Sequence, residues 1–376
     1  MKIFLVRGPV IIMVYGECYI LGVKIKNQKI IWNNNKILPI EKKDNTKIRL
    51  IGNKDQLKGP FSKKENSNLG MSIWKELTDD ILNQKYKSIV VVGPSDAGKS
   101  TFSLYLANRF INSGQRPLLL DADVGQGDLA PPTCIGSAVL KHQSIDLSMI
   151  KADYLSFIGS IQPSNNESRI IRCVSKLIKK SRSYDRCIVN TDGYVNGKGL
   201  NYKLKLLDKI QPECIVSLGR SDIQANSGQY TRVPERWKFI IRYGRSPNSI
   251  IRRSHLDRYQ KRMNTLAKFF NPNNTELVQI HLKDIRSIYY QNRFQRINYS
   301  SNKNYDISKI RSIFLKFSTN NKMQYVFTGL GSVKERDILK GFGIVKNFEN
   351  DILTILTTCK KFDSIYLSEL QLGFAI

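Results

Sequence analysis

The chain has 376 residues, 41% hydrophobic and 10% aromatic, with a formal net charge of +29. That length exceeds one ordinary core and fits two or three domains, and the apolar fraction excludes a disordered chain. No apolar run approaches the roughly 20 residues that span a bilayer, and so basic a balance favours a polyanionic partner, nucleic acid ahead of a membrane surface.

The opening MKIFLVRGPVIIMVYGECYILGV is apolar but interrupted by Arg7, Gly8, Pro9, Gly16 and Glu17. It lacks a small-residue cleavage site, so it reads as strands and not as a signal peptide. A cytoplasmic location is expected. Residues 1–70 continue as short β-rich pieces (QKIIWNN, TKIRLIG) between Gly- and Asn-rich turns, which predicts a small N-terminal β domain ending in a loop.

The pattern changes near residue 71. Ile73, Trp74, Leu77, Ile81 and Leu82 follow helical spacing. KSIVVVG is a buried strand run, GKSTFSLYLANRFINSG a helix ending at Gly114, and RPLLLDAD a second strand. YLSFIGS, DRCIVNT, ECIVSLG and WKFIIRYG are further apolar runs with helical stretches between several of them. Alternation of this kind predicts an α/β domain over 71–272, its parallel sheet covered on both faces. Residues 273–376 return to β-like runs, including GFGIVKNF and SIYLSELQLG, which predicts a C-terminal β-rich domain. NYSSNKNYDISK reads as an excursion.

Six cysteines (18, 134, 173, 187, 214 and 359) form no C-x-x-C pair, and no histidine lies at ligand spacing from them. Neither a disulfide framework nor a structural zinc is expected. His142, His255 and His281 are scattered, which gives no basis for histidine catalysis.

Between the first central strand and its helix stand Gly93, Pro94, Ser95, Asp96, Ala97, Gly98, Lys99 and Ser100. This is the G-x-x-x-x-G-K-[ST] phosphate loop in its proper strand–helix context. Its backbone amides and the helix N-terminus point at an anion. Lys99 can reach the β- and γ-phosphates of a nucleotide such as ATP, Ser100 can bind Mg²⁺, and Thr101 adds a hydroxyl near the α-phosphate. P-loop proteins place an acid from a later strand near the metal. Asp121 and Asp123, two residues apart at the end of PLLLDAD, are the candidates: one for the metal shell, the other to accept a proton from an attacking hydroxyl. No N-K-x-D follows the loop and no L-S-G-G-Q occurs, against a GTPase or an ABC-type ATPase.

GPSDAGKST together with DADVGQGDLAPPT resembles the polynucleotide 5′-hydroxyl kinase family. That family includes the RNA kinase subunit of the mRNA 3′-end cleavage machinery, the nucleolar pre-rRNA kinase and compact archaeal members. The likeness continues through FIGSIQPSNN and into NTDGYVNGKG, where the family carries T-x-G-W; here Tyr194 replaces the usual tryptophan. A basic stretch, RSPNSIIRRSHLDRYQKRM, is similar to the family's arginine-bearing lid, with Arg253 and Arg258 the placed arginines and Arg252 and Arg262 their neighbours. The resemblance implies a P-loop central domain between two β domains. It also implies transfer of the γ-phosphate of ATP, or another NTP, to the 5′-hydroxyl of RNA, with DNA left open and protein partners unknown.

On that reading Lys99, Asp123, Arg253 and Arg258 are catalytic, Asp123 as the base. Ser100 and Asp121 support Mg²⁺. Gln126 and Tyr194 face the acceptor, and Thr191 and Gly193 hold Lys99 in place. The alternatives are an ATP-bound scaffold subunit that does not turn over, and a partitioning-type or metallochaperone ATPase.

Overall fold

Alternating burial along the first strands makes the N-terminal β layer. Along β2, Val10, Ile12 and Val14 are buried and the residues between them less so. The computed structural model describes residues 2–33, 36–52, 71–219, 240–244, 253–270, 272–290, 293–296, 308, 311–314 and 325–372. The loop expected around 53–70, Arg252 with the preceding part of the basic stretch, and most of the excursion at 298–309 lie outside the described residues.

Seven strands form the N-terminal region: β1 (Lys2–Arg7), β2 (Val10–Tyr15), β3 (Glu17–Ile20), β4 (Val23–Lys26), β5 (Lys29–Trp32), β6 (Ile37–Lys42) and β7 (Lys47–Ile51). They pair as two sheets, in the orders β1-β6-β3-β4 and β5-β2-β7. Their apolar side chains are continuous with the next region. Ile12, Trp32 and Ile40 share one cluster with Trp74 of α1 (Met71–Asn83) and with Phe102 and Leu106 of α2 (Lys99–Asn112). Asn108 of α2 fastens the join, its Nδ2 donating to the carbonyls of Leu21 and Ser144, each at 2.8 Å.

The central sheet comprises β8 (Ser88–Val92), β9 (Pro117–Asp121), β10 (Cys134–Val139), β11 (Tyr154–Phe157), β12 (Arg186–Asn190), β13 (Cys214–Leu218) and β14 (Ile240–Gly244), in the order β11-β10-β9-β12-β8-β13-β14. Five strands are parallel. The expectation of a parallel sheet is corrected at one edge, where β10 runs antiparallel to both β9 and β11. No helix separates Asp121 from Cys134, so the chain returns without the crossover that a parallel neighbour requires. Ile89 and Val91 face α1 and α2, while Val90 and Val92 join the opposite cluster with α3 (Glu167–Lys180) and α4 (Lys198–Ile210). Both faces are therefore covered.

Helix α5 (His255–Phe269) leads to the last sheet, built from β15 (Glu276–His281), β16 (Ser287–Tyr290), β17 (Arg293–Arg296), β18 (Val326–Gly331), β19 (Leu339–Glu349), β20 (Ile352–Thr357) and β21 (Ser364–Gln371). Its order is β15-β20-β19-β18-β21-β16-β17. Phe157 of the central sheet packs on Phe327 and Tyr366. Beside them Arg169 is buried, its guanidinium 3.4 Å from the Tyr289 ring centre and 3.4 Å from Asp337. All six cysteines are free, and Cys187 and Cys214 lie in strands where burial pushes each thiol up to about 12. No helix among the described residues is long and apolar enough to cross a membrane.

Candidate active site

The phosphate loop follows β8. Gly98 caps α2 at φ 88°, a left-handed conformation, and no side chain caps that end. The first amides of the helix are thus left for an anion. Ser100 and Thr101 lie half-buried in its first turn, and Ala97 is buried, its N–H donating to Pro94 O at 3.3 Å. Lys99 is buried too, and its Nζ donates to Pro94 O at 2.7 Å, within its own loop. Burial holds its ammonium down to about 8, with Asp123, Asp192 and Asp96 pulling the other way.

The two candidate acids differ in environment. Asp121 is fully engaged by protein donors. Its Oδ2 accepts from the backbone of Asp128 at 2.8 Å and Leu129 at 3.4 Å, and its Oδ1 accepts from Asn190 at 2.9 Å. Burial, then the charges of Asp123 and Asp128, push its carboxyl upward. Asp123 is half-buried, beyond the strand end. Its Oδ1 accepts from the amides of Gly125 at 3.1 Å and Gln126 at 2.9 Å, and its Oδ2 has no protein donor among the described residues.

Asn190 is a residue the sequence reading missed. It ends β12, which lies between β8 and β9, and its Nδ2 donates both to Ser100 Oγ at 3.1 Å and to Asp121 Oδ1 at 2.9 Å. Its Oδ1 is buried with no hydrogen-bond partner among the described residues. The Ser100 hydroxyl and the Asp121 carboxylate are hard donors that suit Mg²⁺, which takes much of its shell from phosphates and water, and the Asn190 amide nitrogen bridges the two. No cluster of three or more His, Cys, Asp or Glu able to hold a metal occurs among the described residues, so phosphate oxygens would have to complete such a shell.

The T-x-G-Y segment follows Asn190 directly. Thr191 Oγ1 donates to Val91 O at 2.8 Å, and Gly193 lies so close to Ser95 that an added Cβ would stand 2.5 Å from the Ser95 nitrogen. Thr191 thus meets the backbone of β8 and Gly193 that of the phosphate loop, and among the described residues neither contacts the Lys99 ammonium directly. Tyr194 is half-buried with its ring stacked on Tyr202 at 6.4 Å, so one face is occupied. Between these sits a buried ion pair, also missed: Lys203 and Asp192, 2.8 Å apart. Asp192 further accepts from Tyr202 Oη at 3.0 Å and the Tyr194 amide at 2.8 Å.

The basic segment supplies α5, opened by a capping box between Ser254 and Asp257. Arg253 precedes the helix and Arg258 lies in its first turn. Arg258 donates to Asp96 Oδ2 at 3.0 Å, and the Arg253 backbone N–H donates to the same oxygen at 3.3 Å. Gln126 reaches the helix from the acid loop, its Nε2 3.4 Å from Arg258 O and its Oε1 buried without a partner among the described residues. Phosphate loop, acid loop and lid helix are thereby brought together.

Residues 93–272 match a family model described as mRNA cleavage and polyadenylation factor CLP1 P-loop. A polyribonucleotide 5′-hydroxyl-kinase of Pyrococcus furiosus is 33% identical over 147 residues, covering 39% of this chain and 42% of the relative. One from Pyrococcus horikoshii is 26% identical over 203 residues, covering 54% of each. A CLP1 homolog of Brugia malayi is 27% identical over 142 residues, covering 35% of this chain and 33% of the relative. The chain thus spans at most about half the length of these curated relatives. A solved Clp1p–Pcf11p complex covers 98% of this chain and 96% of its own with a TM-score of 0.69 at 13% identity, a likeness of fold. Residues 93–272 thus match the CLP1 P-loop family model, within a chain that shares the fold of Clp1p.

Proposed function

We propose that this protein is a polynucleotide 5′-hydroxyl kinase that moves the γ-phosphate of ATP, or another NTP, to the 5′-hydroxyl of RNA. The observation that carries this reading is the meeting of three parts: Arg258 touches Asp96 of the phosphate loop at 3.0 Å while Gln126 of the acid loop reaches Arg258 O at 3.4 Å. A nucleotide-hydrolysing switch needs no acceptor-side loop. A kinase does, because positioning and charge neutralisation are most of what phosphoryl transfer asks of a protein.

The geometry supports the following roles. Loop amides and the α2 N-terminus hold the phosphates, and Lys99 leaves Pro94 O to neutralise the β- and γ-oxygens. Ser100 and Asp121 would hold Mg²⁺, with Asn190 positioning both, and the metal would draw charge from the β,γ-oxygens. Asp123, with Oδ1 fixed by two amides, takes the proton of the 5′-hydroxyl as its oxygen bonds to the γ-phosphorus. The bond from that phosphorus to the β,γ-bridging oxygen breaks, and ADP leaves with its electron pair. Arg253 and Arg258 stabilise the charge on the transferring group. Gln126 Oε1, without a partner among the described residues, awaits a donor from the acceptor nucleotide, and the half-buried Tyr194 ring would stack on a base. The net charge of +29 supplies contacts for the acceptor's other phosphates. A division into a β domain at 1–70, a kinase domain at 71–272 and a β-rich domain at 273–376 serves this reading.

ATP labelled at the γ-phosphate, incubated with an RNA oligonucleotide bearing a 5′-hydroxyl, decides it. Label on the oligonucleotide is the expected result. Nucleotide retained without transfer would mark a scaffold, and free labelled phosphate with unlabelled RNA an ATPase.

A further inference from the structure

We propose that Lys261 is a positioning residue of this site: its ammonium locks the lid helix to the acid loop, so that Arg258 and Asp123 move as one unit. The proposal rests on the kinase reading above.

Lys261 lies three residues after Arg258 on α5, one turn along the same side of the helix. Its Nζ donates to the carbonyl of Gln126 and lies 3.2 Å from Asp128 Oδ2. Both acceptors belong to the acid loop. The Gln126 amide donates to Asp123 Oδ1 at 2.9 Å, and the Asp128 amide donates to Asp121 Oδ2 at 2.8 Å. One cation therefore holds the two residues whose amides set the two candidate acids.

The network extends into the N-terminal region. Asp128 Oδ1 pairs with Lys36 at 3.0 Å, and Lys36 pairs with Asp146 at 2.7 Å. Two lysines and two aspartates balance in charge where Asp128 and Asp146 are buried. Burial would raise the Asp128 carboxyl, but Lys261 and Lys36 bring it well below the usual carboxylate range. Desolvating such groups is costly and is not needed merely to fasten a helix, because apolar side chains of similar volume do that at least as well.

The helix itself shows the contrast. Its far end is anchored by the buried apolar side chains of Leu266 and Phe270, which belong to a cluster with Phe327 and Phe342. Its near end, which bears Arg258, exposes Leu256 and Tyr259 to solvent. Among the described residues that near end is held by polar contacts: the arginines on Asp96, Gln126 on Arg258 O, and Lys261 on the acid loop.

Lys261→Met and Lys261→Arg test the proposal in the full-length protein, by transfer kinetics and amide hydrogen exchange. In Lys261→Met, kcat for transfer to RNA should fall by roughly 10- to 100-fold while ATP affinity stays within about 3-fold, as expected when reacting groups are misplaced by a fraction of an ångström. Exchange should accelerate about 10-fold in the helix segment 255–262 and stay unchanged in 264–269 and in α2. Lys261→Arg, which keeps a cation able to meet both acceptors, should recover most of kcat and the protection. The proposal is overturned by a wild-type kcat in Lys261→Met, by unchanged exchange at 255–262, by faster exchange throughout the central sheet, or by no recovery in Lys261→Arg. If the wild-type protein transfers no label, the kinase reading fails by itself, and the exchange data alone decide whether Lys261 locks the helix to the loop.

Discussion

Arg258 and Asp96 are joined at 3.0 Å, and the Arg253 guanidinium lies 4.0 Å from the same carboxylate. The cations proposed to meet a transferring phosphoryl group are thus held by a carboxylate of the phosphate loop, and a bound triphosphate competes with Asp96 for them. Asp96→Asn removes the charge while keeping a side chain that tolerates the left-handed backbone at φ 60°. ATP should bind about 3- to 10-fold more tightly, equivalent to about 1 kcal/mol for a partly exposed pair. Titration calorimetry measures this, and unchanged or weaker binding would rule out the competition.

Asp123→Asn should separate binding from chemistry. The amide oxygen can still accept from Gly125 and Gln126, so the loop keeps its shape, but the proton acceptor is gone. Label transfer should drop by about 10²- to 10⁴-fold, the range of general-base catalysis, with ATP affinity little altered. A near-normal rate in this variant would remove Asp123 from the base role.

Lys99 gives a pH dependence with a definite sign. Its ammonium titrates near 8 in the folded protein, against an ordinary value of 10.5. Bound phosphates favour the charged form, so ATP affinity should weaken as pH rises through about 8, and binding at about pH 8.5 should take up a proton. Calorimetry in two buffers of different ionisation enthalpy reads that proton directly. Folding follows the opposite trend. Between about 8 and 10.5 the unfolded chain binds the additional proton, so this group's contribution to stability rises with pH across that window. Lys99→Met should abolish the proton uptake and the transfer.

Gly193→Ala tests the contact between the T-x-G-Y segment and the phosphate loop. The new methyl would press on the nitrogen and Cα of Ser95, at 2.5 and 2.8 Å, and backbone cannot swing aside as a side chain can. Overpacking of this kind costs about 1–3 kcal/mol, and here it displaces the loop itself. ATP affinity should fall about 10-fold or more, measured with a fluorescent nucleotide. Wild-type affinity would show that the two segments adjust freely.

Arg169→Met should act on stability without touching the nucleotide. The guanidinium donates to Phe157 O at 2.8 Å, lies over the Tyr289 ring and faces Asp337, so it joins the central and C-terminal sheets. Its loss leaves a buried carboxylate with Arg172 at 3.2 Å as a remaining partner. The expected cost is about 3 kcal/mol, read as a lowered Tm with ATP affinity retained. An unchanged Tm would show that the packing compensates.

The sequence exposed the parts of this site that are local in the chain. The phosphate loop, the D-x-D-x-G-Q block and the T-x-G-Y segment each carry their chemistry within a few residues, and the apolar alternation around them located β8, α2, β9 and β12. What stayed hidden depends on pairing between distant segments. Asn190 acquires its role because β12 inserts between β8 and β9, an order that periodicity does not encode. Lys36, Asp128 and Lys261 look like ordinary surface charges until three separate segments bring them together. The antiparallel edge was missed because CIGSAV, a short run broken by Gly136 and Ser137, was not read as a strand, and its pairing with β9 reveals it.

The position of β12 also fixes a width. With one strand interposed, the tips of β8 and β9 stand two sheet spacings apart, roughly 10 Å. On the kinase reading, a gap of that size would take a terminal phosphoryl group on one side and a ribose oxygen on the other, with Asn190 at the end of the strand between them. On that reading, the order of strands in the sheet thereby sets the room between the phosphate loop and the acid loop.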